Sequence, residues 1–264
     1  MMKPIPSAIL ALCLAQGGWL PARAADLPRP ETLTRAVINH LPQKPVILTG
    51  RLTADRAATG TVSTLGIEIL ITATNGQVFG RYTLTDSFGD QTEQLTVTRQ
   101  LDAPAVTRYW VGHPPVETNL TDLFQIVNHS EISWMDLTLG FLWWPAGATI
   151  GKEEVKGQMC YVVDMLSPTP ARNRYATMRI WIEERVGMLL QAEAYNPNGD
   201  LVRRMSIKSF KKIDDQWMIK DLELRTFPDG TRTHLRIDEV RPVDRAEGES
   251  PPEPGAATNA PAAP

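Results

Sequence analysis

Several features that would define the class of this protein at once are absent from its sequence. It has only two cysteines in 264 residues, which excludes a disulfide-stapled scaffold. No apolar run beyond the N-terminus approaches the roughly 20 residues that a membrane-spanning helix needs. The formal net charge of −3 is too small to indicate a nucleic-acid partner. What remains is a globular chain, 42% apolar, that is long enough to build its own core.

Motifs of enzyme chemistry are also missing. The chain has no G-x-S-x-G, no Walker loop, no H-E-x-x-H, no C-x-x-C and no Rossmann glycine pattern. Its four histidines lie at none of the spacings that metal ligands adopt: His40, His113, His129 and His234. We therefore expect no catalysis, no cofactor and no metal. A hydrolase assembled from residues distant in sequence stays open as an alternative.

Two terminal segments are predicted to lie outside the fold. Residues 1–24 combine Lys3, a short apolar stretch and the small-x-small exit Ala22-Arg23-Ala24, which is typical of a cleavable secretory signal. An uncleaved anchor is disfavoured because the apolar stretch is too short to span a bilayer. Residues 245–264 hold 6 Ala, 5 Pro and 2 Gly, a composition that predicts a disordered tail. The folded domain is expected at residues 25–244, in the periplasm.

Cys160 would be the one cysteine of an exported chain, because Cys13 lies within the predicted signal. It sits in the strand-like run Met159-Cys160-Tyr161-Val162-Val163, which contains no histidine. We therefore predict a small buried hydrophobe at Cys160 rather than a thiol nucleophile.

Between these ends, the chain predicts one helix followed by many antiparallel strands. Residues 26–42 follow helical spacing up to Pro42. Later segments alternate polar and apolar residues and are separated by turn sequences such as Asn75-Gly76. Strands are predicted at 46–53, 66–74, 77–85, 94–99, 105–111, 152–156, 159–166, 174–183, 188–195, 201–211, 217–226 and 231–240. The fold class is therefore mainly β (α+β): a curved antiparallel sheet whose concave apolar face is covered by short helices, a ligand or both.

Residues 132–144 predict an unusually apolar helix. Ser133 and Asp136 have capping-box spacing, and Pro145 would end the helix. Such a helix is either an ordinary core helix or a wall between the sheet and a lipid-like ligand. Candidate cavity-lining residues on this helix are Trp134, Leu137, Phe141 and Trp144. On the apolar face of the strands they are Met178, Ile180, Met188, Leu190, Met205 and Ile207.

Residues 203–212 carry five basic side chains in ten positions. One interpretation is a solvated strand face that discourages edge pairing. The other is a site for anionic lipid headgroups or an acidic partner. The candidates for that second role are Arg203, Lys208, Lys211 and Lys212.

Five sequence blocks, in this order, carry a family resemblance: ISWMDLTLGFLWW at 132–144, GQMCYVVD at 157–164, RIWI at 179–182, QAEAY at 191–195, and KSFKK at 208–212 with WMIKD at 217–221. Together they resemble the outer-membrane lipoprotein-sorting protein family, which is related to the periplasmic carrier LolA. The resemblance implies a LolA-like fold, a curved antiparallel half-barrel sheet with short helices covering its concave apolar face. The enclosed cavity would receive acyl chains of a lipoprotein or lipid, without cofactor or catalysis. It also implies an inner-membrane transporter and an outer-membrane acceptor as possible partners of a monomer.

The leading functional hypothesis is thus a periplasmic carrier or binding protein for lipoproteins or other acylated lipids. An apolar cavity can hold an acyl chain because each CH₂ taken from water contributes about 0.8 kcal/mol. The alternative is an envelope sensor or docking module that uses the same half-barrel. A hydrolase acting on an apolar substrate is the third hypothesis.

Overall fold

The computed structural model describes residues 27–243, except 57–59, 75, 102, 129, 170–173 and 214–215. The predicted signal at 1–24 and the predicted tail at 245–264 lie outside the described residues, as does Asn75. The boundaries of the folded domain therefore stay a prediction. Within the described part, no helix has both the length and the apolar character needed to cross a bilayer.

Thirteen strands form one antiparallel sheet in the described part of the chain. Their order across the sheet is β6-β5-β4-β3-β2-β1-β13-β12-β11-β10-β9-β8-β7. Adjacent strands are consecutive in sequence except β1 and β13, and the consecutive strands β6 and β7 lie at opposite edges. The strands are β1 Val46–Arg56, β2 Thr61–Thr74, β3 Gln77–Thr85, β4 Gln91–Gln100, β5 Val106–Val111, β6 Val116–Thr118, β7 Ala146–Val155, β8 Gln158–Leu166, β9 Thr177–Glu183, β10 Leu189–Tyr195, β11 Leu201–Ile213, β12 Gln216–Thr226 and β13 Arg232–Pro242.

The sheet is strongly curved. Thirteen strands laid flat would span roughly 60 Å at the usual strand spacing. One continuous hydrophobic cluster nevertheless joins Leu52 of β1, Tyr109 of β5, Val163 of β8 and Ile237 of β13. Side chains from such distant strands meet only if the sheet curls around them. The predicted fold class, a curved antiparallel half-barrel with few helices, is confirmed.

Twelve predicted strands correspond to observed ones, and the differences have simple causes. The strand β6 was not predicted because its three residues are all exposed and show no alternation. The strand β7 begins at Ala146, six residues before its predicted start, and this part was missed because AGATI consists mostly of small residues without polar–apolar alternation. Two register shifts interrupt its pairing with β8, between Ala146 and Ala148 and between Thr149 and Gly151, which disturbs the period-two pattern further.

The predicted N-terminal helix is present as α1, Pro30–Asn39. Proline at its first position suits a helix start, where its missing N–H needs no partner. Leu33 and Val37 pack into the main core. The Thr149 hydroxyl donates a hydrogen bond of 2.7 Å to the Pro28 carbonyl just before α1, which holds the start of the helix against β7.

The prediction of one continuous helix over 132–144 is wrong. The capping box of Ser133 and Asp136 forms, but α2 covers only Trp134–Leu137. Leu139 then adopts a left-handed conformation with φ 50°, and a 3₁₀ helix follows at Gly140–Trp143. The break places the backbone of Gly140 against Arg99 and Met135, where an added Cβ would lie 2.7 Å from each side chain. We call residues 132–144 the plug.

A small second cluster lies apart from the main core and contains Cys160, Val162, Trp181 and Leu190. The prediction that Leu190 shares a face with Met188 is wrong, because the pairing of β10 with β9 shifts register between Leu189 and Gln191. Leu189 joins the main core instead. Cys160 is fully buried, as predicted, and burial raises the pKa of its thiol to about 11.

Candidate functional site

The concave face has two parts, and in the first the plug packs tightly onto β8–β11. Asp136 of the plug is 1% exposed and lies at the centre of a polar network. The Ser133 hydroxyl donates to the Asp136 carboxylate at 2.6 Å, and the Tyr175 hydroxyl donates to both of its oxygens at 3.1 and 3.2 Å. Burial raises the pKa of Tyr175 well above its ordinary value. These bonds fix the plug to the sheet.

Arg203 belongs to this network rather than to the surface. Its side chain is buried, lies 3.4 Å from the Asp136 carboxylate and donates to the Glu131 carbonyl. The prediction that Arg203 contacts a lipid headgroup is therefore wrong. Its alternation with Met205 and Ile207 on β11 places it on the inner face of the sheet, where Asp136 compensates its charge.

Aromatic packing fills the remaining space around the plug. The Trp134 ring meets Tyr109 edge-on with centroids 6.0 Å apart, and Phe124 lies between Trp144 and Tyr175. Seven predicted cavity residues are buried here in the core and do not border the apolar cavity that the described residues form: Trp134, Phe141, Trp144, Met178, Ile180, Met205 and Ile207. We call this region, the plug with the inner side of β8–β11, the filled half.

A cavity of about 170 Å³ occupies the other part of the concave face. Its floor is the inner side of β1–β4, β12 and β13, including Ile69, Val97, Met218, Leu222 and Ile237. The turn after α1 and one edge of the plug close it from above. We call this region the open half.

Two of the predicted lining residues border the cavity, namely Leu137 and Met188. None of the lining residues on β1–β4 was identified from the sequence, although β3 and β4 alternate regularly between half-buried and buried positions. That alternation was the available signal. No such signal indicated that α1 and the turn after it contribute to the cavity wall, because the sequence of a short helix does not show which part of a sheet the helix covers.

Polar atoms reach the cavity at few places, and Arg99 and Tyr82 supply two of them. Burial raises the pKa of Tyr82 to about 12 and lowers that of Arg99. The guanidinium carbon of Arg99 lies 4.9 Å from the centre of the Trp143 ring, in a cation–π contact. The lining is otherwise almost entirely hydrocarbon.

The predicted basic residues of β11 lie beside one rim of this cavity. Lys211 and Lys212 are exposed and are paired in the ladder with Met218 and Trp217, two lining residues of β12. Lys208 is also exposed, but its ammonium group lies 2.9 Å from the Glu223 carboxylate.

The residues that the structure describes contain no group of three or more His, Cys, Asp or Glu side chains placed to hold a metal ion.

Comparison with known proteins supports the fold. A family model described as "Uncharacterized protein" matches residues 121–247. No curated protein matches the chain. Three solved structures share its architecture at 12–15% sequence identity.

The first is a DUF1329 family protein from Desulfovibrio piger, with a TM-score of 0.69, 15% identity and coverage of 81% of this chain and 91% of that one. The second is a putative outer membrane lipoprotein-sorting protein domain from Vibrio parahaemolyticus, with a TM-score of 0.68, 14% identity and coverage of 84% and 94%. A LolA superfamily protein from Nitrosomonas europaea has a TM-score of 0.60, 12% identity and coverage of 83% and 95%. The chain thus has a LolA-like fold, as its sequence resemblance implies.

Proposed function

We propose that this protein is a periplasmic carrier that holds acyl chains of lipoproteins or other lipids in the open half, without catalysis. The observation that carries the proposal is the cavity itself, whose lining on the sheet, on the plug and on the turn after α1 is almost entirely hydrocarbon. The likeness to a lipoprotein-sorting domain supports it. Each CH₂ moved from water into such a lining contributes about 0.8 kcal/mol, so one long chain is enough for useful affinity.

The proposed contacts with the acyl chain come from Leu137, Met188, Ile69, Val97 and Met218, which all border the cavity. Two methionines among them suit a carrier, because their flexible side chains adapt to chains of different shape and permit release.

The proposed partners are an inner-membrane transporter that supplies the lipid and an outer-membrane acceptor that receives it, with the carrier acting as a monomer. Lys211 and Lys212 lie where a headgroup or an acidic partner surface would meet the cavity rim.

The test is purification of the full chain from the periplasm of a bacterial host, followed by mass analysis of its organic extract. We expect acylated molecules at near-stoichiometric amounts. A Val97→Phe variant, which places a larger side chain in the cavity, should lose most of them. The matched control Thr98→Phe changes the neighbouring residue on the opposite face of β4 and should keep them. An extract of the wild-type protein without any acylated molecule would overturn the proposal.

A further inference from the structure

Arg99 is an unusual residue for the wall of an apolar cavity. It follows Leu95 and Val97 on the inner side of β4, is 7% exposed and borders the open half. A buried guanidinium is costly unless it is paired, because it loses the solvation of a full charge.

The nitrogen atoms of Arg99 that most need a partner have none. Its Nε and Nη2 are buried and make no hydrogen bond to any of the residues that the structure describes. The acidic residue on the same side of β4 is Glu93, about 20 Å away by strand geometry. Both of its oxygens are already engaged, by the Tyr109 hydroxyl at 2.7 Å and the Asn128 backbone N–H at 2.6 Å.

Other arginines in this chain indicate what the edge of a guanidinium that carries Nε and Nη2 binds. In three of them, Nε and Nη2 together donate to one carboxylate, in the two-pronged geometry that suits a pair of anionic oxygens. The pairs are Arg51 with Asp238 at 3.0 and 3.3 Å, Arg108 with Glu117 at 2.9 and 2.8 Å, and Arg179 with Asp164 at 2.8 and 3.1 Å.

Arg108 is a close internal match to Arg99. Its guanidinium carbon lies 5.0 Å from the centre of the Trp110 ring, against 4.9 Å for Arg99 and Trp143. Glu117 completes the site at Arg108. At Arg99 the same stacked guanidinium is present and the carboxylate is missing.

The plug is shaped around the Arg99 guanidinium. A Cβ at Gly140 would lie 2.7 Å from its Nη2, so only glycine lets the backbone approach here without displacing it. Trp143 of the same 3₁₀ helix covers the guanidinium face. These contacts hold the side chain in place and also bury Nε and Nη2, so the edge of the plug must shift before a ligand reaches them.

We propose that Arg99 binds the anionic head of an amphiphile, a carboxylate or a phosphate, whose hydrocarbon chain lies in the open half. This inference rests on the proposed function and narrows its ligand class from acylated molecules in general to anionic ones. Two oxygens of the head accept hydrogen bonds from Nε and Nη2, as the carboxylates of Asp238, Glu117 and Asp164 do elsewhere in the molecule. The bound anion compensates the buried charge, while Trp143 and the cavity lining take up the chain.

The test uses four probes with twelve carbons in the main chain: dodecanoate, dodecyl phosphate, dodecanol and dodecyltrimethylammonium. Their binding to the delipidated full chain is measured by calorimetry below the micellar concentrations of the charged probes and below the solubility limit of dodecanol. The wild-type protein should bind at least one anion about tenfold or more tighter than the alcohol, because hydrogen bonds to a charged partner are among the strong ones. The cationic probe should bind weakest. Which anion binds tighter distinguishes a carboxylate from a phosphate ligand.

Arg99→Leu should abolish the preference for anions and leave the affinity for dodecanol within about twofold. Arg99→Lys keeps the positive charge but lacks the pair of adjacent N–H donors, so it should retain only part of the preference for anions. The matched control Arg108→Leu removes the guanidinium that Glu117 already occupies and should leave the preference intact. Without ligand, Arg99→Leu should melt at a higher temperature than the wild type, because it removes an uncompensated buried charge. A purely structural Arg99 would make it melt lower.

Equal binding of anions and dodecanol by the wild type would overturn the role of Arg99 and leave the carrier proposal standing. Failure of every probe to bind would overturn both.

Discussion

The filled half and the open half are built from the same kind of strand, with apolar side chains alternating onto one concave face. In the filled half, the plug supplies Trp134 and Phe141, both fully buried, and a network centred on Asp136 fixes it in place. In the open half, the plug contributes only its edge, and a cavity of about 170 Å³ remains above the strands. The apolar concave face of a curved sheet thus forms either packed core or the wall of a cavity, depending on what covers it.

The treatment of buried charge differs in the same way. Arg203 in the filled half has Asp136 at 3.4 Å, whereas Arg99 in the open half has no hydrogen-bond partner for Nε or Nη2 among the described residues. The filled half pairs its buried charge by itself, whereas in the open half the proposed ligand would pair it. The predictions below test this difference, beginning with the largest expected effect.

The first prediction concerns the buried network of the filled half. Asp136→Ala should lower the free energy of unfolding by about 3–5 kcal/mol, because it leaves the Arg203 guanidinium buried and uncompensated. Chemical denaturation measures the loss. The control Asp238→Ala removes the exposed partner of Arg51 and should change stability little. Equal effects of the two substitutions would contradict the structural role of the network.

The second prediction compares two methionines on adjacent strands. Met205 lies in the filled half and Met218 borders the cavity. Met205→Ala should cost about 3–5 kcal/mol, since its neighbours are too tightly packed to close the space it leaves. Met218→Ala should cost about 2 kcal/mol, because part of its surroundings is already empty. If the substitutions have equal costs in the ligand-free protein, the two halves do not differ in packing.

The third prediction reverses the change by adding one methylene group in each half. Val163→Ile inserts it at a fully buried position of the filled half and should cost about 1 kcal/mol or more through overpacking. Val97→Ile extends a side chain that borders the cavity and should cost almost nothing. Melting temperatures of the two variants, each measured without ligand, test this directly, and a reversed order would refute it.

The fourth prediction concerns alkaline pH and Tyr82, whose pKa burial raises to about 12. The unfolded chain releases this proton near pH 10, so the contribution of Tyr82 to stability is complete below pH 10 and is lost as the pH rises towards 12. Between pH 8 and pH 11, the wild type should therefore lose about 1 kcal/mol more than Tyr82→Phe. If the free energies of unfolding of the two proteins changed equally with pH, Tyr82 would not have the raised pKa that its burial implies.

The fold could be predicted from the sequence because the strands of a curved antiparallel sheet alternate polar and apolar residues and are separated by turn residues. Alternation and turn residues located twelve strands, and Ser133 with Asp136 located the start of α2. The three-residue strand β6 was missed because it has too few residues to show a period.

The candidate site was harder to predict, because inward orientation does not distinguish core from cavity wall. Phe141 and Leu137 are both apolar plug residues that face inwards, yet only Leu137 borders the cavity. Between these two residues, Leu139 adopts a left-handed conformation that divides the plug into two short helices, and a leucine at that position does not predict such a break. Arg99 lies outside the basic cluster of 203–212. Its buried Nε and Nη2, which have no hydrogen-bond partner among the described residues, are a feature of the three-dimensional structure that a sequence does not record.

The central claim is that a hydrocarbon chain occupies the open half and leaves the filled half unchanged. Isoleucine methyl resonances report on both, because Ile69, Ile71, Ile219 and Ile237 border the cavity while Ile180, Ile182 and Ile207 lie in the filled half. On titration of the delipidated protein with dodecanoate, we expect saturable chemical-shift changes in the first group and little change in the second. Saturable changes concentrated at Ile180, Ile182 and Ile207, or no saturable change in either group, would contradict the claim.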